Sequence, residues 1–484
     1  MVKRFPVFGG AGAVFLCLIP FLCRGSHVET RETAGPLNIV VILVDDLGWT
    51  DLHGYGSDLH DTPRIDRLIR EGMRFTDAYA ASCVCSPTRA SIMTGKHPAR
   101  LHMTIWYGAA VDPEVNKEKN PKLITPKTEH NLPRRETTIA KALRRAGYFT
   151  AHVGKWHLGD PGHYPRAHGF DVNVGGTFSG CPASFFSPFI DADRNPLPNL
   201  SAGRDGEYLT DRLTSEAIAI LERAGSRPLF LHLAYYTVHT PIEGKPDLVD
   251  RYARRVKPGF EHQNPAYAAM VHTLDENVGR VLDKLDELGI ADRTAVILFS
   301  DNGGAHYQHR GRTITSNRPL RAGKGTLYEG GVRVPLVVRW PGVTPAGSVC
   351  RRPVISHDLY PTILGIAGLE GDPGHNDEVD GLSLVPLLRD PNAALPRDAL
   401  YWHYPHYYYG MNTPGSSIRC EDWKLLEYLE DGRVELYNLN DDLGETRDLS
   451  AVLPDRARQL RDRLGAWRKR VDAQMPKPNP NYRP

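Results

Sequence analysis

Two stretches of the chain are apolar almost without a break, residues 38–44 (NIVVILV) and 294–300 (TAVILFS). Neither alternates as a half-exposed strand would, so each predicts a strand buried on both faces of a parallel sheet. Tyr148 to Val153, Pro228 to Ala234 and Arg333 to Trp340 read as further core strands. Helical periodicity lies between them: Glu136 to Ala146, stopped by Gly147, then Tyr267 to Leu288, and His357 to Ala367. Composition shifts around Pro391 to Pro396, a boundary signal. Beyond it, Ile418 to Leu429 and Val434 to Leu439 flank Glu430-Asp431-Gly432-Arg433, a hairpin signal. Pro454 to Gln474 then predicts an amphipathic helix, and Pro476 to Pro484 an irregular tail. No internal repeat is evident.

The chain has 484 residues, 41% of them hydrophobic and 24% charged, the balance of a folded globular protein with room for one large core. Its 59 basic and 57 acidic residues nearly cancel, which excludes a general nucleic-acid or membrane-surface binder, so anion selectivity must be local. Met1-Val2-Lys3-Arg4 followed by the apolar run Phe5 to Cys23 reads as a secretory signal peptide, residues 1–25, with a retained anchor as the alternative. Export to a periplasmic or extracellular location follows. After its removal five cysteines remain: Cys83, Cys85, Cys181, Cys350 and Cys420. With Cys85 set aside, the other four permit two disulfides in three pairings.

Candidate chemistry gathers where predicted strands end. The first ends in Asp45-Asp46 and the second in Asp301-Asn302, and ligands collect beyond the carboxyl ends of such strands. These side chains are all oxygen donors, which favours calcium or magnesium over zinc. An Asp pair ending a strand is also a common turn and helix cap. In Ser82-Cys83-Val84-Cys85-Ser86-Pro87-Thr88-Arg89, Ser86 reads as a helix N-cap, Pro87 as the first helical residue and Gly95 as the stop. That puts Cys85 on the turn before the positive end of the helix, with Arg89 one turn inside it, a fork of donors for a tetrahedral anion. Cys83 and Arg89 also have a cysteine-phosphatase spacing, but the intervening residues lack glycines and Pro87 removes a donor.

Cys85-Ser86-Pro87-Thr88-Arg89-Ala90 resembles the Cys-x-Pro-x-Arg signature of the formylglycine-dependent (type I) sulfatases, within the alkaline-phosphatase-like superfamily. Gly154-Lys155-Trp156-His157-Leu158-Gly159, His239-Thr240-Pro241 and the Gly323-Lys324-Gly325 segment are similar to that family's other motifs, in order, over roughly residues 36–395. The resemblance implies an α/β fold with a large, mostly parallel mixed sheet sandwiched by helices, and a C-terminal α+β subdomain (396–475) with a small antiparallel sheet and a helix. It implies that a formylglycine-generating enzyme converts Cys85 to formylglycine (3-oxoalanine), whose hydrate is the nucleophile. It also implies that Asp45, Asp46, Asp301, Asn302 and residue 85 hold a divalent cation, usually calcium. Arg89, Lys155 and Lys324 would bind the sulfate, His157 would act as base on the hydrate, and His239 would assist the leaving group.

For Lys155 and His157, strand alternation carried past Val153 places both on one side. Candidate pocket walls are Trp106-Tyr107, His163 to His168, Phe185-Phe186, His306 to Arg310 and Tyr401 to Tyr409, whose aromatic faces suit a sulfated sugar. Two other functions fit the same residues: a phosphate or phosphonate ester hydrolase of the same superfamily, and a catalytically dead glycan-binding homologue.

Overall fold

The computed structural model describes residues 1–2, 9–10, 37–111, 120–201 and 203–483. The signal peptide expected over residues 1–25 lies outside these, apart from two isolated pairs of residues. Ala34–Pro484 forms one compact unit.

Eight strands build its main sheet: β1 (Asn38–Val44), β2 (Met73–Phe75), β3 (Phe149–Gly154), β4 (Val172–Val174), β5 (Leu229–Ala234), β6 (Thr294–Ser300), β7 (Leu336–Arg339) and β8 (Ser348–Cys350). Their order is β8-β2-β7-β6-β1-β5-β3-β4. All neighbours run parallel except β7, which is antiparallel to both β2 and β6. The two uninterrupted apolar runs are β1 and β6, paired in register at the centre, Asn38 with Thr294 through Val44 with Ser300.

Both faces of β1 are buried against different helices, as period-two side chains require. Val40, Ile42 and Val44 face the layer of α1 (Pro63–Glu71), α4 (Leu209–Arg223) and α5 (Pro265–Glu287). Ile39, Val41 and Leu43 face that of α2 (Cys85–Thr94), α3 (Ile139–Arg145) and α6 (Leu359–Ile366). The mixed sheet is thus sandwiched by helices, as expected.

A second sheet follows, antiparallel throughout: β9 (Leu400–Tyr404), β10 (Gly415–Cys420), β11 (Trp423–Tyr428) and β12 (Val434–Asn438). The helix α7 (Pro454–Arg470) covers one face through Leu460, Leu464 and Trp467. The stretch expected as one strand from Ile418 to Leu429 is two. Glu421, at a φ of 53°, turns the chain after Cys420, so β10 and β11 pair back to back. The tail is not wholly irregular either: Lys477–Pro478 pairs antiparallel with Leu123–Ile124. The five cysteines are free thiols, and neither disulfide that their number permits is formed. Two of those sulfurs are engaged instead with Pro391 O and with the Arg463 guanidinium, from Cys350 and Cys420 respectively.

Candidate active site

The site lies beyond the carboxyl ends of the central strands, where ligands of open parallel sheets collect. Three of them deliver its floor: β1 runs into Asp45-Asp46, β6 into Asp301-Asn302, and β3 into Lys155. Gly154, at the end of β3, has a φ of 102°, and a Cβ there would stand 1.9 Å from Ala234 O, so only glycine permits this turn. The strand therefore stops before Lys155 and alternation does not set the two side chains. Lys155 and His157 nevertheless converge: Lys155 Nζ donates to Asp45 Oδ2 at 2.6 Å, while His157 Nδ1 lies 3.3 Å from Cys85 Sγ.

α2 begins two residues earlier than the sequence predicts. Val84, extended at φ −141°, is its N-cap, and Cys85 is its first residue. Ser86 Oγ is free of capping because it accepts the Tyr107 amide at 3.0 Å, and the turn before the helix is closed by Thr88 Oγ1, which accepts from Ser82 N. Pro87 still falls in the first turn, where N–H groups have no intrahelical acceptor. Gly95 ends the helix in the left-handed region as expected. Cys85 thus sits at the positive end itself, 3% exposed. Cys83 is apart from it: its carbonyl accepts Gly325 N, and burial pushes its thiol up to about 12, which removes the cysteine-phosphatase reading.

Three cations and three carboxylates are interleaved below Cys85. Arg89 Nε donates to Asp301 Oδ2 at 2.7 Å and its Nη1 to Lys155 O at 2.8 Å. Lys324 Nζ donates to Asp46 Oδ2 at 2.8 Å, and Asn302 Nδ2 to Asp46 Oδ1 at 2.7 Å. His239 Nε2 stands 3.6 Å from Asp46 Oδ2, its Nδ1 turned to Thr240 O. The ten side chains singled out in the sequence are all brought together here.

Electrostatics divides the two aspartates. Burial pushes the Asp45 carboxyl up to about 8 against the pull of Lys155, with Asp301 and Asp46 adding to the rise. Burial acts on Asp46 too, but Lys324, His239 and Lys155 together hold it below the usual range. Burial, with Lys155 and Arg89, keeps His157 well below an ordinary histidine, so its ring is neutral. His239 is lowered to about 3, first by burial and then by Lys324. The Lys324 ammonium is held well above its ordinary value by Asp46, against the effect of burial.

Asp45 Oδ1, Asn302 Oδ1 and Arg89 Nη2 are buried and make no hydrogen bond within the protein. Such orphans are rare in folded proteins and mark places where a ligand completes the set. The two orphan oxygens, with Asp46 and Asp301, form an all-oxygen donor group that fits a hard divalent cation. Ligand atoms of Asp45, Cys85 and Asp301 lie within 4.8 Å of one another.

A cavity of about 510 Å³ opens above this floor. Trp106, Tyr107, Tyr307, Tyr408 and Tyr409 line it, as the sequence suggests. His163 to His168, Phe185-Phe186 and Tyr401 do not. Phe185 stacks on Tyr208 in the core, and Tyr401 lies flat on Trp467 at 4.7 Å. Sequence reasoning missed Phe178, Cys181 and Asp193, which carry no motif and reach the cavity only through the path of their loop.

Also unforeseen is the buried support behind Asp46. Asp51 accepts Gly48 N and Tyr267 Oη at 2.6 Å each and Thr315 Oγ1 at 2.5 Å, and His262 Nε2 lies 3.4 Å away. This bracing fixes the turn that presents Asp45 and Asp46.

The fold, a large mostly parallel mixed sheet sandwiched by helices and followed by a small antiparallel sheet, is that of the alkaline-phosphatase-like ester hydrolases. Residues 37–369 match the sulfatase family model, and 322–469 match the model described as N-sulphoglucosamine sulphohydrolase, C-terminal. The chain belongs to the sulfatase family and is a sulfuric ester hydrolase. It is 32% identical to a sulfatase of Formosa agariphila over 94% of this chain and 92% of that one. N-acetylgalactosamine-6-sulfatase of Sus scrofa is 36% identical over 73% of this chain and 66% of its own length. The solved structure of Ps i-CgsB in complex with k-i-k-neocarrahexaose superposes with a TM-score of 0.75 at 30% identity, covering 91% of this chain and 94% of that one.

Proposed function

We propose that this protein is an exported sulfatase acting on a sulfated carbohydrate, with formylglycine at position 85 and a calcium or magnesium ion held by Asp45, Asp46, Asp301, Asn302 and residue 85. The observation that carries the reading is the placement of Cys85 at a helix N-terminus between His157 and three buried cations, under an aromatic-walled cavity. The orphan oxygens of Asp45 and Asn302 support the cation, and their all-oxygen chemistry supports calcium. Similarity to a galactosamine sulfatase and to a structure holding a carrageenan-type hexasaccharide supports a glycan as substrate. Among the described residues no helix is long and apolar enough to cross a membrane.

When present, the cation would offset charge on the sulfuryl oxygens, and the hydrated aldehyde would supply the attacking hydroxyl. The chain's own groups do the rest. Arg89, whose Nη2 is unengaged, with Lys155 and Lys324, binds the sulfate oxygens and stabilises the charge that develops on them. His157, neutral and against the side chain of residue 85, accepts a proton there in the step that releases sulfate. His239, the most solvent-accessible of these groups with a side chain 14% exposed, stands beside the protonated Lys324 on the cavity wall, and the pair assists the departing sugar oxygen.

The test compares a sulfate and a phosphate ester of one leaving group on enzyme co-expressed with a formylglycine-generating enzyme. The sulfate ester is expected to have the higher kcat/KM by at least about 100-fold, roughly 2.7 kcal/mol of transition-state preference. A higher value for the phosphate ester contradicts the reading and moves the protein to the phosphate or phosphonate hydrolases.

A further inference from the structure

The cavity walls carry chemistry that sulfate transfer does not use. Trp106 meets Tyr408 edge-on at 5.4 Å and stacks on Tyr409 at 5.9 Å, while the adjacent Tyr107 packs against Phe178 at 5.7 Å. Because Trp106 and Tyr107 are neighbours in the chain, these rings make one aromatic wall, suited to the C–H faces of a pyranose. Among the described residues lining the cavity, Asp193 and Lys324 carry charge, and Lys324 is paired with Asp46.

Asp193 is held in place by its own loop. The buried Asp191 carboxylate accepts Asp193 N at 3.0 Å and Asn195 N at 2.9 Å. Bridges between Pro182 and Asp191 and between Ile190 and Pro196 tie the loop on both sides. This fixes the backbone that carries the exposed Asp193 at the cavity. Its charge reaches the wall: the Tyr107 phenol is raised first by burial and then by Asp160, Tyr164 and Asp193.

A rim carboxylate beside an aromatic wall accepts hydrogen bonds from sugar hydroxyls and repels a second anion. We infer that Asp193, which lines the same cavity as the Trp106–Tyr409 and Tyr107–Phe178 rings, is a specificity-determining residue that selects monosulfated sugars over sugars carrying a further sulfate or carboxylate. The inference rests on the glycan sulfatase reading and names the substrate class within it.

The test takes the best monosulfated sugar from a screen and the same sugar with a second sulfate on a neighbouring carbon, and compares kcat/KM for the two. Formylglycine-loaded wild-type enzyme is expected to favour the monosulfated sugar by about tenfold or more, a preference typical of one like-charge contact. Asp193→Lys is expected to abolish or reverse that preference. Asp193→Asn, which keeps the shape and removes the charge, shifts the ratio several-fold in the same direction and serves if the lysine variant does not fold. A ratio unchanged in both variants overturns the inference while leaving the sulfatase reading intact. Wild-type enzyme inactive on every sulfated sugar instead sinks the reading on which it rests.

Discussion

The protein buries two clusters of equal formal charge, and they differ in how completely their atoms are engaged. Where the small sheet meets the main body, Glu329, Glu445 and Asp77 oppose Lys424, Arg419 and Arg333. Lys424 Nζ, 0% exposed, lies 2.9 Å from both Glu329 Oε1 and Glu445 Oε1. Glu329 Oε2 accepts Tyr79 Oη at 2.7 Å, Glu445 Oε2 accepts Glu329 N at 2.7 Å, and Arg419 and Arg333 hold the two oxygens of Asp77 at 2.8 and 3.0 Å. Every carboxylate oxygen there lies within 3.0 Å of a donor or cation, although Glu445 Oε1 meets the Lys424 ammonium without forming a hydrogen bond. In the active site Asp45, Asp46 and Asp301 oppose Arg89, Lys155 and Lys324, yet Asp45 Oδ1 and Arg89 Nη2 stand 3.8 Å apart and neither atom is hydrogen-bonded. A closed network fastens two parts of a fold; an open one is waiting for a ligand.

The sharpest way to break this comparison is to remove one lysine from each cluster. Lys424→Ala takes the nearest ammonium from Glu329, a buried carboxylate that Lys424, Arg333 and Arg419 hold below the usual range against burial, and the expected loss is about 3–5 kcal/mol of stability in denaturant unfolding. Lys155→Ala should act on the reaction instead, lowering kcat/KM by about 10²–10³. Its stability is expected to change by less than about 1 kcal/mol, because Asp45 is already pushed up to about 8 and can take a proton in place of the lost partner. Equal stability losses in the two variants would contradict the distinction.

Closing the open cluster should register as stability. Calcium at about 100 times its dissociation constant is expected to raise the unfolding free energy by about 2.7 kcal/mol. Asn302→Ala, which deletes one orphan oxygen, should shift that midpoint to higher calcium in a thermal-shift titration. An identical calcium dependence in wild type and variant would remove Asn302 from the site.

Orphan atoms elsewhere carry a different signal. His168 is buried beside Trp156, at 5.6 Å between rings, and neither of its nitrogens makes a hydrogen bond within the protein. Burial first, then Lys141, lowers its pKa to about 3. The folded state keeps this ring neutral while the unfolded chain takes a proton below about pH 6.5, so stability falls as pH drops from there towards 3. At pH 5 His168→Phe should recover up to about 2 kcal/mol of that loss relative to pH 7.5. An acid unfolding profile with the same slope in both proteins would contradict the assignment.

Much of this was legible in the sequence because strand β1 and strand β6 bury both faces, and such runs leave no other reading. The site's chemistry was legible for the same reason: its residues sit at strand ends or in short motifs. What escaped depends on long-range contact. Asp51 and His262 meet only because α5 packs on the sheet, Asp193 reaches the cavity by a loop fixed by Asp191, and the split between β10 and β11 turns on the backbone of Glu421. The two-residue error at α2 has a local cause, since Ser86 spends its hydroxyl on Tyr107.

The most direct test of the central claim is mass spectrometry of the peptide containing Cys85 from enzyme made with a formylglycine-generating enzyme, alongside turnover on a sulfate ester. The account predicts a loss of about 18 Da relative to the thiol, the difference between cysteine and the aldehyde that supplies the nucleophile, with activity in proportion to the converted fraction. Multiple turnovers from protein in which Cys85 remains an unmodified thiol would contradict it.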